Sequence, residues 1–257
     1  MLSSDPWGTR PSYADLIGFH PLQLVPDLLH VWNLGVARAA IGSALKIILK
    51  NQTIFHGNNL DIRLEEASVS LRDYAKQHKL DLRLRKLTKG KLHWKTATFP
   101  SFAGKGYDAY VAGLWLEELL APYDEFGDLF TLFWASNKAL TTMYAGDWFL
   151  TEHERETVQD LGQVFPETYA RLARDAVQRG EYLFKILPKF HLLCHLWVPS
   201  RSVNQSKYST WMDEDFLRKI SKTLSLTSSR TAQRRVLERW LMSLPEHLQT
   251  QVHGRAR

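Results

Sequence analysis

The stretch VPDLLHVWNLGVARAAIGSALKIILK, residues 25–50, decides how the rest of the chain is read. Proline at position 26 suits the first turn of a helix, where its missing N–H leaves no bond unmade. From there Leu28, Leu29, Trp32, Val36, Ala39, Ala40, Leu45, Ile48 and Leu49 fall on a broad apolar face, which predicts a helix reaching about Leu49. A helix of this length and apolarity has to be covered by other elements, and the remaining sequence supplies them.

Asn58 and Asn59 precede a second helix, about Asp61–Gln77, with Ile62, Ala67, Leu71 and Tyr74 as the expected inner stripe. Gly106–Leu120 reads as a third helix that ends before Pro122. Asp128–Tyr144 is a fourth, with Leu129, Phe133, Ala135, Ala139, Leu140 and Met143 facing inward. Thr151-Glu152-His153-Glu154 is a capping box, in which threonine and glutamate satisfy each other's exposed amides. It starts a fifth helical region running to Arg179, with an interruption expected near Pro166, and Gly180 closes it. Pro188 opens a short helix through His195, and Asp213–Leu224 and Ser228–Ser243 follow. Only pieces near Leu92–Thr98 and Glu181–Leu187 suit extended backbone. The expected fold class is therefore mainly α with few or no strands.

The composition, 44% hydrophobic and 23% charged over 257 residues, is that of a globular chain rather than a disordered one. A single cysteine, Cys194, excludes a disulfide framework and any cysteine-based zinc module, and it fits a reducing, intracellular compartment. Its Leu-Leu-Cys-His-Leu setting reads as a small buried hydrophobe rather than a nucleophile. No apolar run approaches the roughly 18–20 residues of a membrane span; the best, Ile41–Leu49, contains Gly42, Ser43 and Lys46, so no membrane partner is expected. The opening MLSSDPWGTRPSY has no apolar core of a secretory signal. The phosphate-cradling, dinucleotide, nucleophile-elbow and H-E-x-x-H motifs are all missing, which removes the enzyme classes they mark.

The net charge of +6 is unevenly placed. Phe216–Arg257 holds nine Lys/Arg against Glu238 and Glu246, a net of +7, while Lys79–Lys95 holds seven cations against Asp81 alone. Clustered charge of this kind attracts polyanions. In the last helix Arg230, Arg234, Arg235 and Arg239 are the candidate DNA contacts; the other reading of both runs is a solvated surface.

Two pairs of side chains have metal-ligand spacing, Asp27 with His30 and His191 with His195. Positions three or four apart share one helix face, about 5–6 Å between Cβ atoms, so either pair can grip one ion. Brought together, the two pairs would form a four-ligand N/O shell of the kind Zn²⁺ accepts, with tetrahedral geometry. The plainer alternative is that each pair hydrogen-bonds within its own helix.

Pro26-Asp27-Leu28-Leu29-His30-Val31-Trp32-Asn33-Leu34-Gly35-Val36 resembles the D-x-x-H and Leu-Gly-Val signature of CACTA-type (En/Spm-like) cut-and-paste transposases. Leu187-Pro188-Lys189-Phe190-His191-Leu192-Leu193-Cys194-His195-Leu196 resembles that family's second signature, with a helical insertion of about 160 residues between them. The resemblance covers roughly residues 18–222. It implies DNA as the partner, a nuclear location and an RNase H-like core in which three acids hold two Mg²⁺ ions for phosphodiester displacement. Glu214 is the implied third acid, with Asp213 and Asp215 as rivals; acids in a first helical turn also favour its dipole without any metal. The implied organisation is a core remnant over 1–50, an insertion over 51–180, a His-pair and third-acid segment over 181–226 and a basic helix and tail over 227–257. Asp5 and Asp15 are the only acids before Asp27, and neither follows a strand-like run. The expectation is therefore a catalytically incomplete, transposase-derived fragment of a mobile element, completed by a separate N-terminal part or by self-association. The competing expectation is a helical module that binds protein or nucleic acid without metal.

Overall fold

The computed structural model of the chain describes residues 12–17, 25–197, 203–228, 230–231, 234–239 and 241–242. It divides into two units, Met1–Ser209 and Thr210–Arg257.

Helix α1, Leu29–Asn51, is the central element of the first unit. Its opening Leu29–Val36 is a π-helix, and Ala37–Asn51 is regular α-helix. The wider turns show in the Ala37 N–H, which donates to the Trp32 carbonyl five residues back. All nine residues of the expected apolar face are buried, and Val31, Ala37, Ile41 and Ala44 are buried with them. The helix is thus covered nearly all round, as a core helix must be. Contrary to the sequence expectation, it is long and apolar enough to cross a membrane by length and composition, but 83% of that window is buried inside the protein. Gln52, at φ 67°, ends it in the left-handed conformation that unwinds a helix.

The other helices follow the predicted order: α2 Leu60–Gln77, α3 Gly106–Leu120, α4 Gly127–Ala145, α5 Glu152–Gln178 and α6 Pro188–Leu196. Asn59 caps α2 by accepting from the Ile62 N–H, and the Thr151–Glu154 capping box forms as read. α4 lies along α5 and against α3; α3 packs on α1 and α2; α6 packs on the π-helical start of α1 and on α5. One expectation is corrected. α5 runs unbroken through Pro166, because Phe165 and Tyr169 on either side are fully buried and their packing outweighs the lost N–H bond. The segments near Leu92–Thr98 and Glu181–Leu187 form no strand; among the described residues the only β pairing is the isolated bridge between Phe149 and Val203.

Loops are fixed to this bundle by buried polar groups, since a buried backbone amide left unbonded is costly. Ser68 accepts from the Leu87 N–H, and the carboxylate of buried Asp108 accepts from the N–H groups of Arg83, Leu84 and Lys105. These bonds hold the basic stretch 79–95 as an ordered loop. Beyond it the chain crosses α1 at Gly42, where a Cβ atom would stand 2.7 Å from the Ser101 nitrogen. The Phe102 N–H donates to the Arg38 carbonyl and Arg38 Nη2 to the Gly104 carbonyl, which seats this crossing. Phe184 is tied down by its N–H to Ser43 Oγ, 2.8 Å away in the core. Asn204 closes the unit by donating its amide to the Met143, Gly146 and Asp147 carbonyls at the end of α4.

In the second unit α7 spans Trp211–Ser225, and residues 234–239 are helical. Phe216, Leu217, Leu224, Leu226, Leu237, Leu241 and Met242 are all exposed, and among the described residues of this unit Val236 is the buried apolar side chain.

Candidate functional site

The D-x-x-H signature is first a helix start. Asp27 accepts the backbone N–H groups of Leu29 and His30 on its carboxylate, and its carbonyl accepts from Val31. That is the work of an N-cap residue. The same carboxylate meets His30 Nδ1 in a short contact, so the histidine ring is oriented by the residue that caps its helix. The second pair also meets within its own helix: the Nε2 atoms of His191 and His195 are 3.0 Å apart with their rings at 90°. Both rings are exposed.

The elements carrying the two pairs adjoin, although about 160 residues separate them. Gly35 makes the approach possible, because a Cβ there would stand 2.7 Å from Lys189 Cδ. Behind the contact lies an aromatic cluster. Trp32 meets Phe165 edge-on at 5.1 Å and Trp197 at 5.7 Å, and Gly162 lets Trp197 sit directly on α5. Yet the four side chains stand as two pairs, and among the described residues no three His, Cys, Asp or Glu side chains group closely enough to hold a metal ion. His191 and His195 have the spacing of a two-nitrogen chelate, while Asp27 is engaged in capping. This arrangement does not fit a closed tetrahedral Zn²⁺ shell. Cys194 between the two histidines is half-buried, and burial pushes its thiol pKa up, away from the thiolate a nucleophile needs.

The implied third acid lies on α7 in the second unit. Asp213 is exposed at its start; the side chains of Glu214 and Asp215 lie outside the described residues. The candidate DNA contacts Arg230, Arg234, Arg235 and Arg239 are exposed, but Arg234 bonds Glu238 at 2.6 Å and Arg235 stands 3.8 Å from the same carboxylate. The basic loop is likewise partly neutralised: Lys86 pairs with Glu65 at 2.5 Å, Lys89 with Asp61 at 2.9 Å and Arg83 with Asp81 at 3.5 Å. Such exposed pairs are each worth little, but they lower the local potential.

The structure adds a feature that the linear sequence does not display. Beside the α1–α6 contact is a groove of about 730 Å³ between the start of α1, the crossing loop and the segment before α6. Arg38, His93, Lys185 and Lys189 supply its basic lining, Thr98 and Ser101 its neutral polar lining and Phe99 and Tyr182 its aromatic lining, and among the described residues no carboxylate lines it. Phe99 and Tyr182 meet edge to face at 5.5 Å. Arg38 Nε is buried with no hydrogen-bond partner among the described residues, and burial pushes this guanidinium's pKa down. Arg38 and the two lysines together give the groove a positive potential that favours an anion. Three segments far apart in the chain build this groove, residues 34–39, 93–101 and 182–189; Gly35 and Lys189 lie within the two signatures, but their convergence is not visible in the linear sequence. Compared with protein-family models, curated proteins and solved structures, the chain matches none of them.

Proposed function

We propose that the chain is a helical nucleic-acid-binding module of transposase origin, and that the basic, aromatic groove beside α1 and α6 is its binding face. The observation that carries this reading is the groove lining itself, three strong cations and two aromatic rings without a carboxylate. Single-stranded nucleic acid asks for that combination: cations follow the phosphates, and rings accept stacked bases whatever their sequence. The α1 and α6 signatures support the transposase part of the reading, since Gly35 and Lys189 of those signatures border the groove. The resemblance also implies a nuclear location and, for a complete family member, Mg²⁺-dependent chemistry; this chain binds nucleic acid without that chemistry of its own.

Fluorescence anisotropy with a labelled oligothymidylate of about 20 nucleotides at low salt tests it. The Lys185→Glu/Lys189→Glu variant should bind at least about tenfold more weakly, because two phosphate contacts become repulsive. Removal of residues 226–257 should leave a substantial part of the affinity. Unchanged affinity in the double variant, with loss on truncation, would move the binding face to the arginines of the C-terminal helix.

A further inference from the structure

A second groove lies on the opposite kind of chemistry, between α2 and α3. On α2 its lining recurs at positions 62, 65, 66, 69, 70, 73, 74 and 77, every third or fourth residue along the whole helix. At about 1.5 Å per residue that stripe is roughly 22 Å long. The inward face of α2 is a different one, made of Leu64, Ala67, Ser68, Leu71 and Ala75. Ile62, read from the sequence as an inner residue, is instead 44% exposed, and Val69 is 41% exposed, while Tyr74 is partly buried against the core and also lines the groove. Trp115 and Leu119 of α3 and Tyr123 just beyond it continue the floor. The groove has apolar positions on its floor and Glu65, Glu66, Asp73 and Glu118 among its lining residues, and among the described residues no lysine, arginine or histidine lines it.

We infer that this groove is a docking site for a basic amphipathic helix of a partner protein. Three observations support the choice of occupant. Two packed helices leave a straight channel into which the ridge of a third helix fits, and the α2 stripe is long enough for about four turns of one. The floor offers exposed apolar side chains for an apolar stripe to cover. The lining is acidic on a chain whose net charge is +6, so it repels nucleic acid and attracts lysine and arginine flanking such a stripe. Glu65 is already held by Lys86 and Arg72, and Glu66 accepts the Gly57 N–H. Asp73 on α2 is therefore the acid from which a partner's cations gain most, followed by Glu118 on α3, whose contact at 3.2 Å is with His78 Nε2, an imidazole and not a permanent cation.

The test uses the full chain and two synthetic 18-residue amphipathic peptides, one of leucine and lysine and one of leucine and glutamate. The Leu/Lys peptide should bind in isothermal titration calorimetry, and the Leu/Glu peptide should bind at least tenfold more weakly. Val69→Asp, on an exposed helix position, should weaken Leu/Lys binding at least tenfold. Asp73→Lys/Glu118→Lys should do the same while raising affinity for the Leu/Glu peptide, a gain that no loss of folding can imitate. Equal binding of both peptides, or full binding to both variants, would overturn the inference. So would a concentration-dependent dimer in sedimentation velocity that Val69→Asp abolishes, since the occupant would then be a second copy of this chain. The oligonucleotide affinity of Val69→Asp should stay close to that of the wild type, which keeps this test separate from that of the basic groove.

Discussion

The two grooves of the first unit sit on one bundle of helices and carry opposite linings. The acidic one is assembled from successive turns of α2 and α3, so its spacing is written along the chain at intervals of three and four. The basic one takes Arg38 from α1, His93 and Phe99 from a loop, and Tyr182, Lys185 and Lys189 from a segment about 145 residues beyond Arg38. A groove made of local repeats depends on two helices keeping their faces. A groove made of distant segments depends on every bond that fixes a loop to the core, and it should fail whenever one of those bonds fails.

That difference can be broken deliberately. The largest expected effect is on the basic groove: Lys185→Glu/Lys189→Glu should lower oligonucleotide affinity at least about tenfold and leave Leu/Lys peptide binding unchanged. Parallel losses in both assays would mean that the grooves are not separate. Next comes Gly42→Ala, where the added methyl meets the backbone of Pro100 and Ser101 rather than a flexible side chain. It should cost about 1–3 kcal/mol of stability, read by thermal or urea unfolding, and loosen the basic groove before the acidic one. Asp27→Ala should cost about 0.5–2 kcal/mol by removing the cap of α1. If Asp27→Asn restores most of that stability, capping and not metal binding is the role of this residue, since the amide oxygen can still accept a backbone N–H at the helix start.

The smallest effect belongs to Tyr74 in the acidic groove. Burial, followed by the nearby carboxylates Glu118 and Glu117, pushes its hydroxyl up to about 12. A tyrosine held neutral in the fold and ionised near pH 10 when unfolded contributes stability that is present below about pH 10. It is lost as the pH climbs toward 12. Spectrophotometric titration of wild type against Tyr74→Phe should therefore remove one phenol that ionises late. The loss of one that ionises near pH 10 would contradict this placement.

The same contrast explains what the sequence disclosed. Helix order, the α4 stripe and the Thr151 cap were legible because each is a statement about neighbours three or four residues apart. Pro166 misled because its local cost is visible in sequence and the packing of Phe165 and Tyr169 that offsets it is not. Ile62 misled because α2 carries apolar residues outside its core face as well, and periodicity alone does not say which ones face the core; Tyr74, read as inner, does pack partly buried against it. The Asp27–His30 and His191–His195 pairs were legible as pairs, and their helices do pack together. The contacts that bring those helices together, Gly35 on Lys189 and Trp32 on Trp197, are long-range, as is the whole lining of the basic groove. The charge runs at 79–95 and 216–257 were plain in sequence, but the ion pairs that offset part of each depend on the fold and on helix register.

The central claim is that distant segments form a face that holds single-stranded nucleic acid by phosphate contacts and by stacking, and the salt dependence of oligothymidylate binding tests both at once. The wild type should show a linear fall of log affinity with log salt. In Lys185→Ala/Lys189→Ala that slope should shrink by about 1.4, roughly 0.7 for each lost contact to a single strand. Phe99→Ala should weaken binding by about 1–3 kcal/mol with the slope unchanged, because a stacked base carries no counterion. A wild-type slope retained in the lysine variant, together with wild-type affinity in Phe99→Ala, would contradict the account.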